Sequence, residues 1–439
     1  MRTGKNLQVA IGMSVLVGLA FASRYIAGII QSSATDYWDS GNSSYFMIAE
    51  NLVYGEGYAL VAGSPTIWRN PLYPLLLAGI YSISGKSVPA FIAGNSLLGV
   101  LVVLAGFFVA RAVFQSLSVG ILAALLVSIY PYLVFHSSHL FETSLISLLV
   151  LLLVLAAIET HKEGSYIWAA LAGILMGLSV LTKSSALSLM PIFIVWWISL
   201  SYRKFKRRIL VASFLFLSFT GIVLLPWAIR NKIVLDHLTV SESNLGFNLW
   251  KGNNPLTFAV YPMTHLDSLD EYAAWILPAD STAKYWPESE WFQHQALEYI
   301  RKDPMRFLKG LARKSLQLYD WNIIPYLEGK AVIDPVTETI TMPASSRSPT
   351  KQLSYTIPYI FVVTFVLIGF LGSIKRNWEI LFLVIPILII WSIGHAVAFT
   401  ITRFRMPIEP LILIWAAYGM KSVGNAILTL LKFRSYQVV

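Results

Sequence analysis

Ten stretches of about 20 residues, each almost free of charge, divide this chain. They fall at 6–30, 88–110, 112–135, 140–158, 164–182, 184–202, 209–229, 352–374, 380–402 and 408–431. A run of that length crosses a bilayer as a helix, because a helix satisfies its backbone N–H and C=O groups within one segment. Charged residues make up 13% of the 439, against roughly 25% in a soluble chain, and the mean hydropathy is +0.64. The sequence predicts an all-α polytopic membrane protein and excludes fibrous, disordered and disulfide-scaffold classes. There is no cysteine, so disulfides, thiolate nucleophiles, iron–sulfur centres and cysteine–zinc sites are excluded too. Arg2 and Lys5 precede an apolar run longer than a signal core of about 7–15 residues, which predicts an uncleaved first span.

Charge sets the expected topology. The short apolar segment 72–85 decides the parity. If it lies at the interface, the N-terminus, Arg111, Lys162, the cluster Arg203, Lys204, Lys206, Arg207 and Arg208, then Lys375–Arg376 and the tail Lys432–Arg434 all fall in the cytoplasm. Basic residues concentrate in cytoplasmic loops, so this arrangement is favoured and both termini are cytoplasmic. Two segments then face outward: a first loop, 31–87, and a larger one, 230–351, which holds 14 of the 23 acids. The expected organisation is a transmembrane module over 1–229, an extracytoplasmic α-rich domain over 230–351 and closing transmembrane helices over 352–439. Within the larger loop, Asp303-Pro304 opens a helix as N-cap and N1 residues. Phe307, Leu308, Leu311, Ser315 and Leu318 recur on one expected face, with Arg306, Lys309, Arg313 and Lys314 on the same helix. That helix either lies on lipid headgroups or packs on its own domain.

The net charge of +10 divides accordingly. Most cations outside the large loop are cytoplasmic anchors, and nucleic acid is not implied. Arg24, Arg69, Lys183, Arg230, Lys251, Arg403 and Arg405 remain on the outer side, where that rule gives them no reason to be. Asp36, Asp39, Glu50 and Glu56 follow the first span, and Glu142 opens the 140–158 span. Ionisable groups at membrane depth are costly and are candidates for a site. Carboxylates suit general-base work, worth about 10²–10⁴-fold. Lysine and arginine suit a departing phosphate. No nucleotide-binding glycine loop, H-E-x-x-H or G-x-S-x-G is present. No metal-ligand set has recognisable spacing, so no cofactor is named and a divalent ion stays open.

The stretch DSGNSSYFMIAENLVYGEGY (39–58), followed by PTIWRNPLYPLLLAGIYSISG (65–85), resembles the first outer loop of the GT-C glycosyltransferases. These are the polyprenyl-phosphate-sugar enzymes related to protein O-mannosyltransferases and the lipid A aminoarabinose transferase. YPYLVFHSSHLFETSL (130–145), GILMGLSVLTKSSAL (173–187), PWAIRNKIVL (226–235), NLWKGNNP (248–255), ALEYIRKDPMRFLKGLARKSL (296–316) and TRFRMPIEPLILIWAAYG (402–419) extend the resemblance along the chain. It implies a GT-C-like bundle in a bacterial inner membrane, its active site facing outward. A polyprenyl-phosphate-linked sugar would be the donor, and a lipid, glycan or protein the acceptor. It also implies an Asp of the first outer loop as the base, Asp39 first and Asp36 second, with Glu142 beside them. The family's Asp commonly sits three or four residues before the tyrosine matched by Tyr45; here Asn42 and Gly41 hold those positions. Lys183, Arg403, Arg405, Arg69 and Arg230 are the expected phosphate ligands. Tyr45, Glu56, Tyr73 and Lys251 are the expected substrate-loop residues. The competing readings are a lipid-linked glycan polymerase or ligase, a secondary transporter and a non-catalytic scaffold.

Overall fold

A computed structural model describes residues 2–34, 36–39, 43–260, 268–277, 285–321, 331–341 and 349–436. The first helix, α1 (Arg2–Ala34), leads through a 3-10 turn (Tyr37–Asp39) to α2 (Ser43–Val53) and a small hairpin, β1 (Ala59–Val61) and β2 (Ser64–Pro65). Then come α3 (Leu72–Ser84), α4 (Val88–Phe114), α5 (Leu117–Ile129), α6 (Pro131–Ser137), α7 (Thr143–Glu163), α8 (Tyr166–Thr182), α9 (Met190–Phe205) and α10 (Arg207–Leu235). A smaller body follows: α11 (Leu245–Lys251), α12 (Ser268–Ile276), α13 (Tyr285–Lys302), α14 (Pro304–Gln317) and the hairpin β3 (Val332–Ile333), β4 (Ile340–Thr341). The chain closes with α15 (Pro349–Val397) and α16 (Glu409–Tyr436).

Among the described residues, seven helices are long and apolar enough to cross a membrane, eight if α5 and α6 form one bent span, against the ten that the sequence predicts. The bend of 57° follows from Pro131, which holds Tyr130 extended at φ −63°, ψ 115°. The rest of the difference lies in α8, with 17 residues, and in α15, which counts once although it doubles back. Asn377 breaks α15 at φ −123°, ψ 27°. On one side of the break, Tyr359 donates to the Tyr319 carbonyl; on the other, Ser392 shares a hydrogen bond with the Tyr319 hydroxyl. A straight helix would hold those two residues about 50 Å apart. The two arms of α15 correspond to the expected spans 352–374 and 380–402.

Contacts sort the helix termini into two ends of the bundle. At one, Asn377 donates to the Val113 carbonyl, His161 meets Glu379, Lys204 donates to the Lys162 carbonyl and Lys421 donates to the Ser116 hydroxyl. The Arg203–Arg208 cluster and Lys375–Arg376 are at this basic end. At the other, Tyr132 donates to Thr402, Trp391 donates to the Phe404 carbonyl and Tyr73 donates to Asn95. Helix α3 packs here, with Ile80 filling the space above Gly94.

The bundle buries large side chains at close helix approaches. Trp196, Trp197, Trp391 and Trp415 are fully buried, and each indole N–H has an acceptor, as a buried tryptophan needs. The G-x-x-x-G pair of α8 brings α10 close: a Cβ on Gly173 would lie 2.4 Å from the Phe216 carbonyl oxygen. Arg24 is buried and donates to the carbonyls of Ala20, Val127 and Ser128, joining α1 to α5.

The smaller body has its own core of Trp250, Leu256, Val260, Leu269, Ala273, Phe292, Ala296 and Ala331. Phe399 and Ile401 reach into it from the cleft end of the bundle. At the seam, a Cβ on Gly252 would lie 1.5 Å from the Ala398 carbonyl oxygen. Helix α14 starts as expected, the Asp303 carboxylate accepting the Arg306 N–H at 2.9 Å. Phe307, Leu311, Ser315 and Leu318 lie on its packed side, and Leu308 alone departs from the expected face. Gly310 and Lys314 are buried with Leu318 behind them, while Leu308 is exposed on the opposite side. Lys314 donates to the carbonyls of Gly252 and Ala398 and to the Asn253 side chain. Burial pulls its ammonium down to about 7.

Candidate active site

A cleft of about 460 Å³ opens where the smaller body meets the bundle. The segment between α1 and α4 contributes Ser43, Tyr45, Trp68 and Arg69 to its lining. Glu142 and Lys183 come from the ends of α7 and α8, and Phe399, Arg403 and Phe404 from the α15–α16 connection. The smaller body supplies Glu242, Asn244, Phe247, Asn248, Lys251, Asp270 and Glu271.

Helix ends place the central ions. Lys183 caps α8 in extended backbone, φ −152°, ψ 110°, so the chain leaves the helix there. Glu142 precedes α7, and its side chain makes no capping hydrogen bond. It accepts from Lys183 Nζ at 3.1 Å instead. Burial alone would raise the Glu142 carboxyl, but Lys183 and Arg403 outweigh it and hold the group at about 2. Glu142 is therefore a fixed anion at neutral pH. Lys183 also sits 4.8 Å from the Phe404 ring, and Arg403 lies 4.0 Å from the Phe141 ring. Such cation–π contacts are stronger where water is excluded.

A second cluster faces them. Arg69 donates to the Ser44 hydroxyl at 2.8 Å and lies 3.9 Å from Glu242. Asn70 donates to the same Glu242 at 3.1 Å. Burial raises the Glu242 carboxyl, and Arg69 offsets only part of that rise. Tyr45 lies beneath, its phenol pushed well up by burial and by Glu142. On the far wall Lys251 forms an ion pair with Asp270.

The seven cations singled out from sequence divide. Arg69, Lys183, Lys251 and Arg403 line the cleft. Arg24, Arg230 and Arg405 do not. Arg230 donates to the carbonyls of Tyr58 and Thr66, tying the segment around the β1–β2 hairpin to α10. Arg405 is fully buried, paired with Glu409 and donating to the Leu318 carbonyl. Arg403 and Arg405 share a 3-10 turn (Thr402–Arg405), whose residues step by about 120°, so they point apart.

Among the other expected residues, Tyr73 is buried against Tyr45 and donates to Asn95, off the cleft. Glu56 is exposed in the turn after α2. Asp36 is exposed and accepts the Trp38 N–H. Asp39 closes the 3-10 turn four positions before Ser43; its side chain lies outside the described residues. Glu242, Asp270 and Glu271 were not singled out from sequence. Asp270 and Glu271 occupy the first turn of α12, where acids suit the helix dipole, so their type alone gave no signal. Among the described residues, no three His, Asp or Glu side chains converge as a metal site requires.

Comparison with solved structures decides the architecture. The archaeal oligosaccharyltransferase AglB from Archaeoglobus fulgidus, in complex with an inhibitory peptide and a dolichol-phosphate, superposes with a TM-score of 0.53 at 14% identity. The match covers 95% of this chain and 52% of that one. The apo form of the A. fulgidus oligosaccharyltransferase gives 0.56 at 15% identity, covering 97% and 52%. The chain has the GT-C fold. It spans about half the length of these oligosaccharyltransferases. ArnT from Cupriavidus metallidurans bound to undecaprenyl phosphate matches more loosely, with a TM-score of 0.41 at 12% identity over 95% of this chain and 78% of that one. Residues 65–228 match the family model for dolichyl-phosphate-mannose-protein mannosyltransferase. No curated protein sequence matches. The resemblance read from the motifs agrees with both the GT-C fold and this family segment. The segment carries Arg69, Glu142 and Lys183, three of the cleft's ions.

Proposed function

We propose that this chain is an integral membrane glycosyltransferase. It moves a hexose or pentose from a polyprenyl-phosphate carrier to a lipid, glycan or protein acceptor on the outer face of a bacterial inner membrane. The basic end of the bundle, with both termini, then lies in the cytoplasm, and the smaller body over 230–351 faces outward. The observation that carries this reading is the cleft itself. Lys183 and Arg403 are gathered around Glu142, at the end of the bundle away from the Arg203–Arg208 cluster.

In this reaction the acceptor heteroatom bonds to the anomeric carbon, and the carbon–oxygen bond to phosphate breaks. The polyprenyl phosphate leaves with the electron pair, and the acceptor proton passes to a carboxylate. Lys183 and Arg403 meet the charge that develops on the phosphate. Glu142, held low by Lys183 and Arg403, is a weak base, and its proposed role is to hold those two cations in place. Asp39 is the proposed base. Glu242, whose carboxyl is raised by burial, is the second candidate. Trp68, Phe247, Phe399 and Phe404 give the cleft apolar faces for a sugar ring. Its volume falls within the range for small-ligand sites, about 300–1,000 Å³, which favours a single sugar over a long glycan.

The test uses purified protein in lipid, a panel of polyprenyl-phosphate sugars, and release of free polyprenyl phosphate as readout. Arg403→Gln is expected to slow release by about 10²-fold, and Asp39→Asn by at least about tenfold. No consumption of any donor would remove the transferase reading. Full activity of Asp39→Asn with loss in Glu242→Gln would move the base to Glu242.

A further inference from the structure

Among the described residues, nothing covers a second face of helix α14. Its buried side, through Gly310 and Lys314, packs on Phe258, Gly252 and Ala398. On the opposite side Met305 is 59% exposed, Leu308 53% and Leu316 74%, with Ala312 exposed between them. Positions 305, 308, 312 and 316 form one stripe along a helix of 3.6 residues per turn. Arg306, Lys309 and Arg313, all exposed, form the neighbouring stripe. No acid occurs between 304 and 317.

The surroundings show what this face meets. Trp321, four residues beyond the helix, is 65% exposed, and its carbonyl accepts from Thr356 in the first turns of α15. Leu353, Ile357 and Ile360 of those turns are also exposed. They begin a span, so their apolar surface faces acyl chains. The end of α14 is thus level with the edge of the membrane, where tryptophan is favoured. A water-soluble partner would have to cover Leu316 and Trp321 at the same height as lipid-facing residues. Phospholipid covers both with no further component.

We propose that α14 lies on the membrane surface, its Met305–Leu308–Leu316 stripe dipping into the interface and Arg306, Lys309 and Arg313 paired with anionic phospholipid headgroups. The bilayer's own lipids are the ligand, and the helix rests the smaller body on the membrane beside the cleft. An apolar stripe with flanking cations binds by buried area together with attraction to anionic lipid.

The chain has no cysteine, so single cysteines report one position each. Full-length protein carrying Leu308→Cys or Leu316→Cys is labelled with a fluorophore and placed in nanodiscs containing brominated lipid. Thr337→Cys, on the exposed turn between β3 and β4, is the control. Quenching at 308 and 316 is expected to exceed the control clearly, and to grow when phosphatidylglycerol replaces part of the phosphatidylcholine. Combining Arg306→Gln, Lys309→Gln and Arg313→Gln is expected to remove at least about half of that growth. Arg306 and Arg313 also lie over the Tyr299 and Phe258 rings, so an unchanged thermal midpoint of the triple variant is required, and Lys309→Gln alone, expected to lower the growth in the same direction, is the second variant. Quenching no greater than the control in either lipid would mean the face meets water or protein and would overturn the proposal. Equal quenching with and without anionic lipid would overturn its headgroup component.

Discussion

Lys183 donates to Glu142 across 3.1 Å, joining the C-terminal end of α8 to the N-terminal end of α7 inside the cleft. Residues 41 apart in sequence share one short contact, and Arg403 supports it from a third segment. Removing one partner leaves a buried charge without its match, which is costlier than never having placed the pair.

Glu142→Gln is therefore expected to lower donor turnover by about 10²-fold through the loss of its hold on Lys183 and Arg403. Lys183→Met should lower it by a similar factor. The double variant should be less impaired than the product of the two, because each single change already breaks the same unit. Polyprenyl phosphate release by the three variants checks this.

Acid should loosen the cleft before it unfolds the bundle. The folded Glu142 carboxyl is held at about 2, below its ordinary 4.5. A depressed carboxyl contributes stability that is complete above its unfolded value and lost as pH falls through the folded one. The loss is expected between pH 4.5 and about 2 and to be absent in Glu142→Gln. Thermal midpoints in detergent across that window measure it.

Lys314 gives the opposite end of the pH scale. Its folded value of about 7 lies below the ordinary 10.5, so the unfolded chain binds more protons between those limits. Stability then rises with pH from about 7 towards 10.5. Lys314→Met should flatten this slope. It should also cost roughly 1–3 kcal/mol at neutral pH, since the carbonyls of Gly252 and Ala398 lose a donor. Unfolding midpoints of both proteins over that range decide the matter.

Gly252→Ala should destabilise the seam far more than Gly221→Ala. A Cβ at 252 would fall 1.5 Å from a backbone oxygen, whereas one at 221 has nothing within 4 Å. The change at 221, inside α10, is expected to be neutral or stabilising by up to about 1 kcal/mol. Limited proteolysis of the smaller body, together with thermal midpoints, separates the two.

The proposed orientation is tested with single cysteines at Tyr202 and Ser241. An impermeant thiol reagent applied outside intact cells should label Ser241→Cys and spare Tyr202→Cys. The reverse pattern would invert the assignment of the basic end.

Much of this was legible in sequence because apolar runs and stray charges are costly signals. Lys183, Glu142 and Arg403 stood at span ends where lipid gives ions no support, and they meet in the cleft. Arg405 carried the same signal, but the direction of a side chain on a 3-10 turn depends on a start point that composition does not reveal. Glu242 was hidden among the acids of the larger loop, where an exposed carboxylate is the ordinary case. Lys314 was read with the basic residues of its helix. Its burial depends on Gly252 and Ala398, tens of residues away, which periodicity cannot see. The expected face of α14 holds for Phe307, Leu311, Ser315 and Leu318, while Leu308 turns outward because Gly310 and Lys314 fill the space beneath the helix.

The seam at Gly252 and Ala398 also bears on how molecules enter. One wall of the cleft carries Lys251, the last residue of α11, and the other carries Phe399, Arg403 and Phe404, soon after Ala398. Backbone meets backbone between them with no room for a methyl group. These walls share one rigid joint and act as fixed jaws, not as a hinged lid. Under the proposed function, an acceptor then slides in from the open side with its bulk kept outside, and the gauge of the mouth becomes a filter on what can be modified.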